Sequence, residues 1–342
     1  MIRSLTSLRG IFILFIFFHH CLNLYAGGGT MAVTFFFVLG GFSMTLGYKD
    51  RVMSPEFDYR KYITRRAIKF YPLHWLTLLA ALPFAVVSFD KWTFPMFTVN
   101  TALLHSWIPI KSVYFSFNAV SWYLANTMFF AVMFPFVLRF FLNMTSKGSS
   151  IMLSVIIILY AILAIILPRE WYHAILYISP YVRLTDFILG IFLALGYMKL
   201  RNKIDTPYIN NVLWHMLIIS LMVLLVVESC LLSETVRLVS PVYWIFVAAL
   251  ILITSLRGGL GGYNLFENKY LHRLGELSFT IFMTHQLILK YSRVFHFEND
   301  IFYVVYALAM TIVISIVIDK YILNPITQWL TKRFQPSMTA RS

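Results

Sequence analysis

Apolar residues in this chain come in long unbroken runs separated by short segments that are polar and mostly basic. Ten runs, 8–26, 31–48, 70–89, 119–138, 150–167, 184–198, 212–232, 240–256, 277–290 and 301–323, reach or approach the roughly 18 residues that cross a hydrocarbon core of about 30 Å. The sixth and ninth are the shortest. Backbone polar groups inside lipid must be satisfied within the segment, and none of the runs alternates apolar with polar residues as a barrel strand does. The pattern predicts an all-α fold, a polytopic membrane helix bundle of about ten transmembrane helices.

The stretch from Asp90 to Asn118 breaks this rhythm. It holds Pro95, His105, Trp107, Pro109 and Lys111, and its apolar pieces are too short to cross twice. An outer loop with a re-entrant or interfacial helix is expected there. The first run begins within about ten residues of Met1 and lacks a small-residue cleavage pattern, so it reads as a retained helix. No cysteine sits near a terminus in a lipidation pattern. No internal repeat is visible, and a single membrane domain, residues 1–342 with a core of 5–325, is expected to account for the chain, with no appended soluble domain.

Composition agrees: 60% hydrophobic residues and 12% charged ones, with a mean hydropathy of +0.76, exclude an ordinary soluble domain. The net charge of +14 raises nucleic acid as a partner, and the positions of the charges answer it. With the N-terminus inside, 21 of the 28 Lys and Arg residues fall in inner segments, from Arg3 and Arg9 through Lys49 to Lys69 and on to Arg341. That threefold bias predicts cytoplasmic N- and C-termini. The cations are spread over every inner loop instead of lining one groove, which argues against nucleic acid. Cys21 and Cys230 stand in apolar stretches without metal-type spacing, so no disulfide framework and no metal site is expected.

Ionisable residues inside apolar runs carry the candidate chemistry. Arg9 and His20 are eleven residues apart, about 16 Å along a helix and about 20° beyond three full turns, so they share a face; His19 points about 100° away. His20 is expected near mid-membrane or in its outer half. It reads either as a hydrogen-bonded contact between helices or as a base whose neutral imidazole takes a proton from a hydroxyl. Arg9 on the same face, able to hold an anionic group entering from the cytoplasm, favours the second reading. Between the second and third runs, Arg65, Arg66 and Lys69 lie within one turn and are expected to converge on a phosphate or to serve as an ordinary positive-inside anchor. Gly27 to Gly29 and Gly40-Gly41 permit close approach to the second helix. Asn118 with Ser121-Trp122, the three-apart pair Arg183 and Asp186 after Ser179-Pro180, and His285 complete the set; Arg183 and Asp186 are expected to pair, and His285 has the same two readings as His20.

These features resemble the acyltransferase-3 family of membrane acyltransferases, many of which O-acetylate cell-surface carbohydrates. Leu8-Arg9-Gly10 followed by His20 is similar to the family's Leu-Arg-Gly and Arg-x10-His, in which the His is the proposed catalytic base. Phe35 to Phe42 resembles Phe-Phe-x-Leu-Ser-Gly-Phe, with Gly40 in place of the Ser. Residues 62–72 resemble Phe-x-x-Arg-Arg-x-x-Arg-x-x-Pro, with Tyr62 and Lys69 as departures. Phe117-Asn118 and Ser121 to Leu124 through Pro135 resemble a segment that often has a Glu five residues after the Trp, where this chain has Thr127. Ser179 to Gly190 resembles Ser-Pro-x-x-Arg-x-x-Glu-Phe-x-x-Gly, and Leu274 to His285 resembles Leu-Gly-x-x-Ser-x-x-x-Tyr-x-x-His.

The resemblance implies a multi-pass enzyme of a bacterial-type inner membrane. It would move an acetyl group from cytoplasmic acetyl-CoA, a co-substrate and not a permanently bound cofactor, to a hydroxyl of a polysaccharide or lipid-linked oligosaccharide. His20 and Arg9 would act at the reacting centre, and Arg65, Arg66 and Lys69 would hold CoA phosphates. Trp122, Asn118, Arg183, Asp186 and His285 would bind the acceptor or support the site. A secondary transporter is the main rival, but Asp186, Glu228 and Asp319 all lie towards span ends, so a coupling-ion path lacks its usual mid-membrane carboxylate.

Overall fold

Each of the ten apolar runs falls on a helix in the computed structural model, which describes residues 2–22, 28–86, 90–201, 211–257, 265–295, 297 and 299–334. The ends of the first and third runs, residues 23–26 and 87–89, lie outside the described residues. The helices are α1 (Arg3–Cys21), α2 (Gly29–Met53), α3 (Tyr59–Val86), α4 (Thr93–Thr101), α5 (Lys111–Tyr114), α6 (Ser121–Leu142), α7 (Ser146–Ile166), α8 (Pro180–Leu200), α9 (Asn211–Leu231), α10 (Glu234–Arg237), α11 (Pro241–Arg257), α12 (Lys269–Ser292), α13 (Asp300–Ile318) and α14 (Asn324–Phe334). There is no strand among the described residues.

Among the described residues, seven helical segments are long and apolar enough to cross a membrane: α1, α2, α6, α7, α8, Leu213–Leu231 of α9, and the run Asp300–Phe334 that joins α13 to α14. Pro241–Leu256 of α11 is apolar but shorter. Helices α3 and α12 have the length but carry Arg60, Lys61, Arg65, Arg66 and Lys69, or Lys269, Arg273, Glu276 and Lys290. The chain is therefore a helical, multi-pass membrane protein, with seven candidate spans among the described residues where the sequence pattern suggests ten. Residues 90–118 form no span: α4, a 3₁₀ turn at His105–Trp107 and α5 occupy them, because Pro95, Pro109 and the polar residues between them cut the apolar stretches short.

The chain folds as two compact units: Met1–Ser54 with Met133–Ser278, and Pro55–Val132 with Phe279–Ser342. In the first unit, glycines set the helix crossings. A Cβ on Gly190 of α8 would lie 2.0 Å from the Val38 carbonyl oxygen of α2, and one on Gly41 of α2 would lie 2.0 Å from the Phe187 carbonyl oxygen of α8. The two backbones thus meet with no room for a side chain, the packing that small residues provide where lipid supplies no hydrophobic drive between helices. Gly10 of α1 and Gly275 of α12 repeat the device: a Cβ on Gly275 would lie 1.7 Å from the Thr6 carbonyl oxygen. Phe12 of α1 stacks on Phe35 of α2 at 3.7 Å between ring centres.

In the second unit, Asp58 starts α3 by accepting the Lys61 backbone N–H at 3.0 Å, which holds its carboxyl below the usual range. Tyr62 then anchors the helix through a hydroxyl that donates to the Ala131 carbonyl of α6 at 2.8 Å. Leu78, Ala81, Phe117 and Leu287 form a buried apolar cluster in this unit.

Candidate functional site

Helix α1 begins at Arg3, five residues before its apolar run, because Ser4, Thr6 and Ser7 are buried within the protein and not left in an inner loop. Ser4 donates to the Thr254 carbonyl at 3.4 Å. His20 lies in the last turn of α1, one residue before Cys21, and is partly exposed, at the end of the described helix. Arg9, also partly exposed, donates through a terminal guanidinium nitrogen to Ser278 Oγ of α12 at 2.9 Å. The neighbouring Gly10 and Gly275 allow the two helices to approach closely enough for that bond.

His19 and His20 are in edge contact, with ring centres 5.0 Å apart. His19 lies over Gly29 at the start of α2, where an added Cβ would be 2.6 Å from its Cδ2 atom. Gly29 thus shapes the seat of His19, and His19 in turn flanks His20. Of the three glycines singled out in the sequence, Gly28 has φ 74° and Gly27 lies outside the described residues.

Arg183 and Asp186 pair as their spacing predicts, at 3.1 Å, with side chains 1% and 0% exposed. The pair is enclosed. Arg183 donates to Thr34 Oγ1 of α2 at 3.1 Å, and its guanidinium lies 5.0 Å from the Phe37 ring centre and 5.6 Å from that of Tyr177. Asp186 accepts the Trp244 indole N–H at 2.6 Å. Tyr177 belongs to a π-helical segment, His173–Ile178, just before Pro180 opens α8. Charges this deep persist only when both are paired and hydrogen-bonded, and here α2, α8, α11 and the π turn together supply the partners. This side-chain cluster ties the helices of the first unit to one register.

In the second unit the three candidate cations of α3, Arg65, Arg66 and Lys69, differ. Lys69 is exposed and Arg65 partly exposed, whereas Arg66 is buried with its guanidinium 5.2 Å from the Tyr62 ring centre. The convergence expected from spacing is thus reduced to Arg65 and Lys69 on the outer face, with Arg66 turned inward. All three positions fall within about 100° around the helix, so packing and not helical phase decides which of them is buried.

Asn118 donates to the Met283 carbonyl of α12 at 2.9 Å, next to Phe117, which has φ 58°. Trp122 is buried. Thr127 turns its hydroxyl back to the Tyr123 carbonyl at 2.8 Å. His285 is fully buried; its Nδ1 lies 2.7 Å from the Phe282 carbonyl and 3.2 Å from that of Ile281. Both partners are acceptors, so Nδ1 carries the proton and Nε2 is the acceptor in the neutral ring.

Sequence reasoning missed a buried polar network beside these residues. His74 Nε2 lies 2.7 Å from the Asn100 carbonyl, Asn100 donates to Ser116 Oγ at 2.7 Å, and Ser121 Oγ lies 3.0 Å from His105 Nε2. All but Ser116 are fully buried. Burial, and secondarily the nearby His74, pushes His105 down to about 3, so the ring is neutral. The only signal in the sequence was that His74 and Asn100 interrupt apolar stretches, which periodicity does not distinguish from surface positions.

The chain is 26% identical over 296 residues to the acyltransferase MdmB of Streptomyces mycarofaciens, covering 77% of this chain and 69% of that protein. No solved structure matches it. The family model described as an acyltransferase domain, acyltransferase 3, matches residues 2–320, a span that takes in Arg9, His20, the basic turn of α3, the buried Arg183 and Asp186 pair and His285. The chain belongs to the acyltransferase-3 family of membrane acyltransferases.

Proposed function

We propose that this protein is an inner-membrane O-acyltransferase that moves an acetyl group from cytoplasmic acetyl-CoA to a hydroxyl of a cell-surface or lipid-linked carbohydrate. The observation that carries this reading is the single helix α1, which holds Arg9 against Ser278 in its first half and a partly exposed His20 in its last turn. A base has to be both fixed and reachable. The edge contact with His19 fixes the ring, and its partial exposure leaves it accessible.

In the proposed reaction the acceptor hydroxyl gives its proton to His20 as its oxygen attacks the acetyl carbonyl. The C–S bond breaks, and the departing thiolate recovers the proton from the imidazolium. The other course, transfer through an acyl-His20 intermediate, differs in leaving a covalently labelled enzyme. Arg65 and Lys69, with Arg66 behind them, are assigned to the CoA phosphates, for which paired cations on a helix turn are suited. Arg9 is assigned to guiding the donor along α1.

Labelled acetyl-CoA supplied to membranes that contain the protein tests the reading. Wild-type membranes should label a glycan, and His20→Ala should lower that labelling by about 10²- to 10⁴-fold, the usual contribution of a general base. Undiminished labelling by His20→Ala would show that His20 is not the base. Arg65→Ala and Lys69→Ala should raise the apparent KM for acetyl-CoA at unchanged protein level; loss of the protein from the membrane would instead assign those cations to anchoring. NMR of surface polysaccharide from cells with and without the protein should show O-acetyl signals lost with it.

A further inference from the structure

The helical run Asp300–Phe334 has 35 residues, about 52 Å at about 1.5 Å per residue, whereas the hydrocarbon core of a bilayer is about 30 Å and the whole bilayer about 40 to 45 Å. Its last part must therefore leave the core. The structure marks the exit: α13 gives way to a π-helical segment at Asp319–Leu323, which contains the first charges after Asp300, and α14 follows from Asn324. Helix α14 packs against α3 in the same unit. Its least exposed positions are Thr327, Leu330 and Thr331. The two threonines turn their hydroxyls back to the carbonyls of Leu323 and Thr327, both at 2.7 Å.

The outward arc has an unusual composition. Ile326, Trp329, Lys332 and Arg333 fall within about 120° of one another around the helix, and all four are exposed, Trp329 at 58%. The Arg333 guanidinium lies 5.6 Å from the Trp329 ring centre. Helix α14 has no acidic residue. Water leaves the indole and isoleucine poorly solvated, and hydrocarbon does the same to the two cations. The headgroup layer of a bilayer accommodates both, with aromatic rings at its depth and basic side chains reaching to phosphate.

We propose that α14 is an interfacial helix bound to a leaflet rich in anionic lipid, with Ile326 and Trp329 sunk towards the acyl chains and Lys332 and Arg333 on lipid phosphates. The occupant is fixed by two features: the arc continues the surface of a candidate span, and its charge is positive throughout. A cation near an anionic leaflet contributes about a fivefold preference, so the two together make attachment depend on lipid charge. The inference is independent of the acyl-transfer reading.

The full chain, with Cys21→Ser and Cys230→Ser, would carry a spin label at Ile326→Cys or at Gln328→Cys. It would be reconstituted in phosphatidylcholine alone or in phosphatidylcholine mixed with phosphatidylglycerol. In the anionic mixture the label at 326 should be accessible to oxygen and shielded from a water-soluble nickel complex, while the label at 328, about 160° around the helix from 326 and beyond the Lys332 edge of the arc, should remain open to nickel. Lys332→Glu with Arg333→Glu should abolish the shielding at 326 while leaving helical content by circular dichroism unchanged. Nickel access at 326 in both lipid compositions, or shielding indifferent to phosphatidylglycerol, would overturn the proposal.

Discussion

Helices α7 and α8 belong to the same unit, have 21 residues each and are both long enough to span, yet they are opposites. Helix α7 has the higher mean hydropathy, 2.7 against 1.4, and is the more exposed, with 6% of its span window buried against 44%. It presents Ile151, Ile158, Leu159, Ile165 and Ile166 outward and buries only Ser149 and Tyr160. Helix α8 buries Arg183, Asp186, Phe187, Gly190 and Ile191. In water the most apolar helix would be the innermost. Here the solvent is lipid, so the most apolar helix is outermost and the interior holds the charges.

Removing one charge from α8 tests that difference most severely. Asp186→Ala leaves Arg183 enclosed without its carboxylate, and stranding one member of a buried pair costs about 3 to 5 kcal/mol. We expect little monodisperse protein in detergent and a strongly lowered melting temperature. Replacing the pair by Arg183→Met with Asp186→Leu should recover much of the loss. Wild-type melting of Asp186→Ala would mean that water reaches the pair and that α8 is not an interior helix. Gly190→Ala is the second test. Its methyl group would fall 2.0 Å from the Val38 carbonyl, so α2 and α8 must separate, at about 1 to 3 kcal/mol. Unchanged stability would show that the crossing is looser than its glycines indicate.

Inward polarity extends to the segment between α4 and α6, outside the spans. His105 is neutral because burial pushes it down to about 3 from an ordinary value near 6.5. The unfolded chain therefore takes up more protons than the folded one between those values, and stability rises with pH across that window. It should be complete above about pH 6.5 and fall by roughly 1.4 kcal/mol per unit below it. Melting between pH 7 and pH 5 should show that slope in the wild type and a shallower one in His105→Gln. Equal slopes would assign the acid sensitivity to other groups.

The helices and the buried charge pair, though not the number of spans, were legible in the sequence because lipid imposes length and apolarity on a segment, and helical spacing brings positions three and four apart together. All ten apolar runs became helices, and Arg183 met Asp186 as its position required. What escaped depends on contacts distant in the chain. The buried Ser4, Thr6 and Ser7 start α1 five residues before its apolar run, but nothing local distinguishes them from an inner loop. Arg66 is buried over Tyr62 whereas Lys69, one turn on, is exposed, a choice made by packing and not by charge pattern. The His74, Asn100 and His105 network and α14 were hidden for the same reason, being polar residues whose burial, or amphipathic residues whose exposure, is set by tertiary structure.

The smallest expected effect gives the finest test of the comparison. On α7, Ile158 is 56% exposed whereas Tyr160, two residues on, is buried and accepts the Ser240 backbone N–H at 3.3 Å. Tyr160→Phe should cost about 0.5 to 1.5 kcal/mol, the net worth of a hydrogen bond. Ile158→Ala should stay within about 0.5 kcal/mol, because lipid replaces the lost side-chain contacts without leaving a cavity. Melting of the two variants in the same detergent would measure the contrast within one helix. If Ile158→Ala cost as much as Gly190→Ala, the outer face of α7 would be covered by protein, and high hydropathy would no longer mark the lipid side of this fold.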